Sequence, residues 1–117
     1  MNETDLILVV EDDALVSDVI EAALDDKYRT VVVENANDAM KVLREKAVRL
    51  MLLDCTLPGG VTPELLPEAD RRGTAVILMS GDPERMQRIS ETPRPFMRKP
   101  FTLAGLLEAV NAALSVT

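Results

Sequence analysis

The chain has 117 residues, 47% hydrophobic and only 3% aromatic, with a net charge of -7. That is one domain's worth of chain with a real core built from Val, Leu, Ile, Met and Ala, which excludes a disordered segment; the acidic balance disfavours direct nucleic-acid binding. The absence of histidine removes the commonest general base and zinc ligand, and the single cysteine, Cys55, excludes an internal disulfide and fits a reducing cytoplasm.

No apolar run approaches the roughly 20 residues of a membrane span, and residues 1–5 carry two acids and no base, unlike a signal peptide. In chain order, Leu6 to Val10 is a continuous apolar run, the pattern of a strand covered on both faces. Apolar residues at Leu15, Val16, Val19, Ile20, Ala23 and Leu24 predict a helix over Ala14 to Leu24 with that stripe turned inward. The β-branched Thr30 to Val33 predicts a second strand. Asn37 reads as the cap of a helix carrying Ala39, Met40, Val42 and Leu43 inward. Leu50 to Leu53 predicts a third strand, ending at Asp54. Cys55 to Pro63 reads as a loop around Pro58, Gly59 and Gly60. A short third helix is expected around Glu64 to Arg72, made irregular by Pro67 and ended by Gly73. Ala75 to Met79 predicts the fourth strand. Asp82 and Pro83 resemble the cap and first turn of a fourth helix reaching Ile89. Phe96 to Arg98 reads as a short fifth strand, and Thr102 as the cap of a final helix with Leu103, Leu106, Leu107, Val110 and Leu114 inward.

Strand and helix alternate five times, which argues for a single α/β domain over 1–117: a parallel sheet with helices on both faces. Neither internal repeats nor an output domain are read in the chain. In such a sheet, ligands bind beyond the carboxyl ends of the strands. Past the first strand come Glu11, Asp12 and Asp13; past the third, Asp54; past the fourth, Ser80; at the end of the fifth, Lys99. Crowded carboxylates repel one another, and a hard divalent cation relieves that repulsion. Oxygen-only ligands suit Mg²⁺. A carboxylate can also be the nucleophile that forms an aspartyl phosphate. Phosphoryl transfer then needs neutralised charge and positioning, for which Lys99 and the Ser80 hydroxyl supply donors. Each residue has a plainer reading taken singly. Acids after a strand cap a helix, and an aspartate, serine or lysine at a strand end is ordinary.

The segments LILVVEDD, LMLLDCTLPGG, VILMSG and RKPF resemble, in order, the four signatures of the response-regulator receiver family, and the likeness covers nearly the whole chain. It implies a flavodoxin-like (βα)5 fold, doubly wound, with strand order 2-1-3-4-5, similar to chemotaxis response regulators. It implies Asp54 as phosphoacceptor and Glu11 and Asp12 as the acidic pair. Asp12, Asp54 and the backbone carbonyl of Thr56 would ligate Mg²⁺, with Glu11 acting mainly through water. Ser80 matches the hydroxyl switch residue, Phe96 the aromatic switch position, and Lys99 the lysine that faces the phosphoryl group. Asp13 lies outside the pair and suits capping, and Cys55 reads as a bystander beside the site. The Lys99-Pro100 bond is a candidate cis peptide.

The implied function is a phosphoacceptor receiver of a two-component or phosphorelay system, cytoplasmic and without turnover of an external substrate. Its partners would be a histidine kinase or histidine phosphotransfer protein. An output partner would meet the face of fourth helix, fifth strand and fifth helix, with its Arg85, Arg88, Arg94 and Arg98. No nucleic-acid or membrane contact is expected. The unit stands alone or belongs to a larger protein such as a hybrid kinase. The chain departs from the family in its short stretch from Asp54 to Ser80 and in the missing hydroxyl at Phe96. Two rivals fit less well. A haloacid-dehalogenase-type hydrolase wants a second aspartate two residues after its nucleophile, where Thr56 stands. A pseudo-receiver that only binds partners would have a broken site, and here each key position is filled.

Overall fold

The computed structural model describes residues 5–57, 59, 61–81 and 94–115. Its strands are β1 (Leu6–Val10), β2 (Arg29–Val33), β3 (Leu50–Asp54), β4 (Ala75–Ser80) and β5 (Phe96–Arg98). Its helices are α1 (Ala14–Leu24), α2 (Ala36–Glu45), α3 (Leu65–Arg71) and, last in the chain, α4 (Leu103–Ser115). The strands form one sheet in the order β2-β1-β3-β4-β5, every neighbouring pair parallel, as the sequence implies.

Alternate residues of a strand face opposite sides, so each apolar run feeds two cores. Leu8, Val10, Met51, Leu53, Val76 and Leu78 cluster with Ala39 and Leu43 of α2 and Leu65 and Ala69 of α3. Ile7, Val9, Leu50, Leu52, Ile77 and Met79 cluster with Ile20 and Leu24 of α1 and Leu106 and Val110 of α4. Leu52 is fully buried in this second layer; truncating such a side chain to alanine costs about 2–5 kcal/mol. Among the described residues, no helix is long and apolar enough to cross a membrane.

Four local expectations change. Asn35, not Asn37, caps α2: its backbone is extended and its side chain accepts from the N–H of Asp38 at 2.8 Å. The third helix is regular despite Pro67, because Pro67 is its third residue, where the N–H has no intrahelical acceptor to lose. Gly73 ends it at φ +74°, a conformation that glycine adopts without strain. The inward stripe of α1 is narrower than its apolar residues: Ile20 and Leu24 are buried, while Leu15 and Val19 are 78% and 48% exposed. At about 100° per residue, Val19 lies about 100° and Leu15 about 140° from Ile20 around the helix, too far to reach the sheet. Leu103 is likewise exposed, in the first turn of α4. The helix expected from Asp82 to Ile89 lies outside the described residues, as do Pro58 and Gly60.

Candidate functional site

The strand order reverses between β1 and β3, and there the carboxyl ends open a crevice. Glu11 follows β1 directly, its N–H donating to the Val33 carbonyl of β2 at 2.9 Å. Asp54 is the last residue of β3, opposite Met79 of β4. Lys99 follows β5, and its N–H donates to the Ser80 carbonyl at 3.0 Å, so the short strand delivers the lysine beside β4. The Lys99-Pro100 bond is cis. Asp13 caps α1, accepting from the N–H of Leu15 at 2.9 Å.

Glu11 and Asp54 are each only 1% exposed. Lys99 Nζ donates to Glu11 Oε1 at 2.7 Å and stands 3.4 Å from Asp54 Oδ2. Glu11 Oε2 accepts from the N–H of Asp13 at 3.1 Å. Asp54 Oδ1 accepts twice from Thr56, from its N–H at 2.9 Å and its hydroxyl at 2.8 Å. Asp12 is exposed, and one oxygen from each of Glu11, Asp12 and Asp54 falls within 4.8 Å of the others.

Burial pushes the Glu11 carboxyl above the usual carboxylate range, with Lys99 opposing and the nearby Asp54 charge adding to it. For Asp54, burial pushes the same way but is outweighed by the two Thr56 donors and by Lys99, which hold the carboxyl below its usual range. Burial acts to lower the Lys99 ammonium, yet the hydrogen bond to Glu11 and the charges of Asp54 and Glu11 raise it. The two Thr56 donors and Lys99 thus favour the ionised form of Asp54. Three converging carboxylates beside one ammonium, which pairs with Glu11 and Asp54, carry an excess of negative charge, and their all-oxygen donor set fits a hard divalent cation.

Ser80 is fully buried at the end of β4. By strand alternation it shares a face with Leu78 and, across the register, with Phe96. Phe96 is 60% exposed. Of the expected basic face, Arg98 is exposed and Arg94 forms a two-pronged pair with Asp70, at 3.0 and 2.7 Å. Arg85 and Arg88 lie outside the described residues. Sequence reading missed three features. The Glu11–Lys99 pair and the Thr56 hydroxyl bond depend on side-chain reach across the sheet end, which no motif encodes. The third is an apolar patch of exposed Leu15, Val19 and Pro100 with half-buried Val16 and Phe101 that abuts Lys99; the excess width of the α1 stripe was its sequence signal.

A doubly wound parallel sheet with acids at its β1/β3 switch point and a lysine entering from β5 defines a flavodoxin-like α/β domain with an anionic crevice. Residues 7–111 match the response regulator receiver domain family, and the chain belongs to it. It is a receiver domain of two-component signalling, a class that works with histidine kinases and output domains. It is 31% identical over 113 residues to the regulatory protein VanRB of Enterococcus faecalis, an alignment spanning 92% of this chain and 51% of that protein. The chain thus spans about half the length of that relative. Among solved structures, a CheY-like receiver from Methanospirillum hungatei superposes with a TM-score of 0.84 at 24% identity, covering 97% of this chain and 95% of that one. The receiver domain of a sensor histidine kinase from Pseudomonas aeruginosa, with magnesium coordinated in its active-site cleft, gives 0.83 at 23% identity, covering 97% and 99%. At these identities the structural likeness speaks for the fold.

Proposed function

We propose that this chain, read as one receiver domain, accepts a phosphoryl group on Asp54 from a phosphohistidine of a histidine kinase or phosphotransfer protein. The observation that carries this is the crowding of the Glu11, Asp12 and Asp54 carboxylates, with the Lys99 ammonium paired to Glu11 and Asp54. Asp12, Asp54 and the Thr56 carbonyl would hold Mg²⁺, with Glu11 acting through water. The magnesium of the similar Pseudomonas receiver supports that choice of ion. When bound, the ion supplies charge neutralisation for the transferring phosphoryl group.

The chain's own residues do the rest. Thr56 fixes the plane of the Asp54 carboxylate by holding Oδ1, leaving Oδ2 toward the crevice. Asp54 attacks phosphorus, and the imidazole of the donor leaves. Lys99 offsets the charge on the non-bridging phosphoryl oxygens. Ser80 then turns its hydroxyl toward the phosphoryl group, and the exposed ring of Phe96 moves inward, changing what the β5 face presents to an output partner. The apolar patch of Leu15, Val16, Val19, Pro100 and Phe101 gives the donor protein a surface beside the lysine. Thr56 is a hydrogen-bond donor to Asp54, not a second carboxyl acid, so the reading favours a stored phosphoryl group over hydrolysis of phosphate esters.

The test is incubation with acetyl phosphate and Mg²⁺. A metal-dependent phosphoprotein is expected. Turnover of phosphate esters without a phosphoprotein would place the chain with hydrolases, and no reaction in either assay would make it a pure binding module.

A further inference from the structure

Glu11 is almost completely buried, and a buried carboxylate without a partner is costly. Both of its oxygens are already taken, Oε1 by the Lys99 ammonium and Oε2 by the Asp13 N–H. Asp54 is different. Its Oδ1 is held by Thr56, while Oδ2 has the ammonium at 3.4 Å, beyond the 2.7 Å of the Glu11 contact. The same cation therefore pairs with two carboxylates, and more closely with Glu11. If the ammonium closed on Asp54, it would occupy Oδ2, the oxygen that Thr56 leaves open to a cation. Side-chain length sets this balance: Glu11 reaches one methylene further from β1 than an aspartate would.

We propose that Glu11 is a positioning residue, which holds Lys99 off Asp54 Oδ2 and so keeps the nucleophile open to a divalent cation. This rests on the reading of Asp54 as a metal-facing nucleophile. Beside its contact with the ion through water, Glu11 acts on the metal site chiefly through the lysine. Removing the charge of Glu11 releases the ammonium onto Asp54, where it competes with the cation. Removing both charges of the pair takes away the competitor as well, and leaves the net charge of the protein unchanged.

The experiment measures Mg²⁺ affinity alone, without any phosphodonor, by titrating the wild type, Glu11→Gln, Lys99→Met and the double variant while following amide shifts. Glu11→Gln is expected to bind Mg²⁺ about tenfold more weakly, in the range of partners that orient metal ligands. The double variant is expected to recover to within about threefold of wild type. A double variant as weak as Glu11→Gln would overturn the proposal, because Glu11 would then matter as a ligand in its own right. The metal-free crystal structure of Glu11→Gln gives a second readout. Lys99 Nζ is expected to close from 3.4 Å to about 2.8 Å from Asp54 Oδ2, and an ammonium that stays at its present distance or turns to solvent contradicts the proposal. Wild-type protein that binds no Mg²⁺ would instead remove the functional reading beneath it, so the two failures are separable.

Discussion

Two regions of this domain bury acids, and they solve the problem in opposite ways. On α3, Glu68 is 4% exposed, and Arg71 of its own helix and Arg72 at the helix end both close on its carboxylate. Those partners lie three and four residues along, where helix geometry places them beside it. Two cations serve one anion, so no further ion is called for. At the strand ends the ratio is reversed: Glu11, Asp12 and Asp54 converge from β1 and β3, and Lys99 from beyond β5 is the one cation paired with Glu11 and Asp54 among the described residues. The first arrangement closes within one helical turn and holds structure together. The second needs the whole sheet to assemble and leaves negative charge in excess. Burial of an acid alone does not mark a functional site; an unbalanced charge does.

Substitutions can break that contrast. The largest effect is expected from Asp12→Asn, which removes the exposed carboxylate of the triad. Mg²⁺ affinity should fall by at least about tenfold, with little loss of stability measured without metal. Glu68→Gln should do the reverse, lowering stability by about 1–3 kcal/mol in denaturant unfolding while leaving the Mg²⁺ titration unchanged. A large effect of Glu68→Gln on metal binding would collapse the distinction between the two regions.

The pH dependence sharpens it further. Glu11 has a folded carboxyl raised by burial, so its contribution is fully present below the ordinary glutamate value of about 4.3 and is lost as pH rises through its raised value. Asp54 is depressed, so its contribution is present above the ordinary aspartate range and lost as pH falls through its lowered value. In EDTA the melting temperature should therefore rise on mild acidification from neutral pH, then fall in stronger acid. Saturating Mg²⁺ should flatten the first rise by stabilising the ionised cluster. A metal-free melting temperature that falls steadily from neutral pH downward would contradict the assignment for Glu11. The smallest effect belongs to Phe96→Ala, whose ring is largely exposed. Its stability should change by less than about 0.5 kcal/mol, while the spectral response to a phosphoryl mimic should shrink.

Much of the fold was legible because its two strongest signals are local. Continuous apolar runs such as Leu6–Val10 and Leu50–Leu53, short and followed by turn-forming residues, read as strands buried on both faces, and strand–helix alternation argues for a parallel sheet. The positions of Glu11, Asp54 and Lys99 at strand ends followed from the same reading. What escaped it was angular or long-range. Whether Asn35 or Asn37 caps α2 turns on which residue has extended backbone, and both are asparagines. Leu15 and Val19 belong to an apolar stripe by composition, but the sheet is wide enough to cover only part of that stripe. The preference of Lys99 for Glu11 over Asp54 depends on reach across the crevice, and side-chain reach is not written in residue spacing. Likewise, nothing near Arg94 in the chain announces Asp70 on α3 as its partner.

The central claim is that the carboxylate cluster exists to phosphorylate Asp54. The most direct measurement is the intact mass of the protein after acetyl phosphate and Mg²⁺, followed by mapping of the labile adduct, on wild type and Asp54→Asn in parallel. The account predicts a single phosphoryl group on wild type, lost in EDTA, mapped to Asp54 and absent from Asp54→Asn. Equal labelling of Asp54→Asn, or an adduct on another residue, would contradict it.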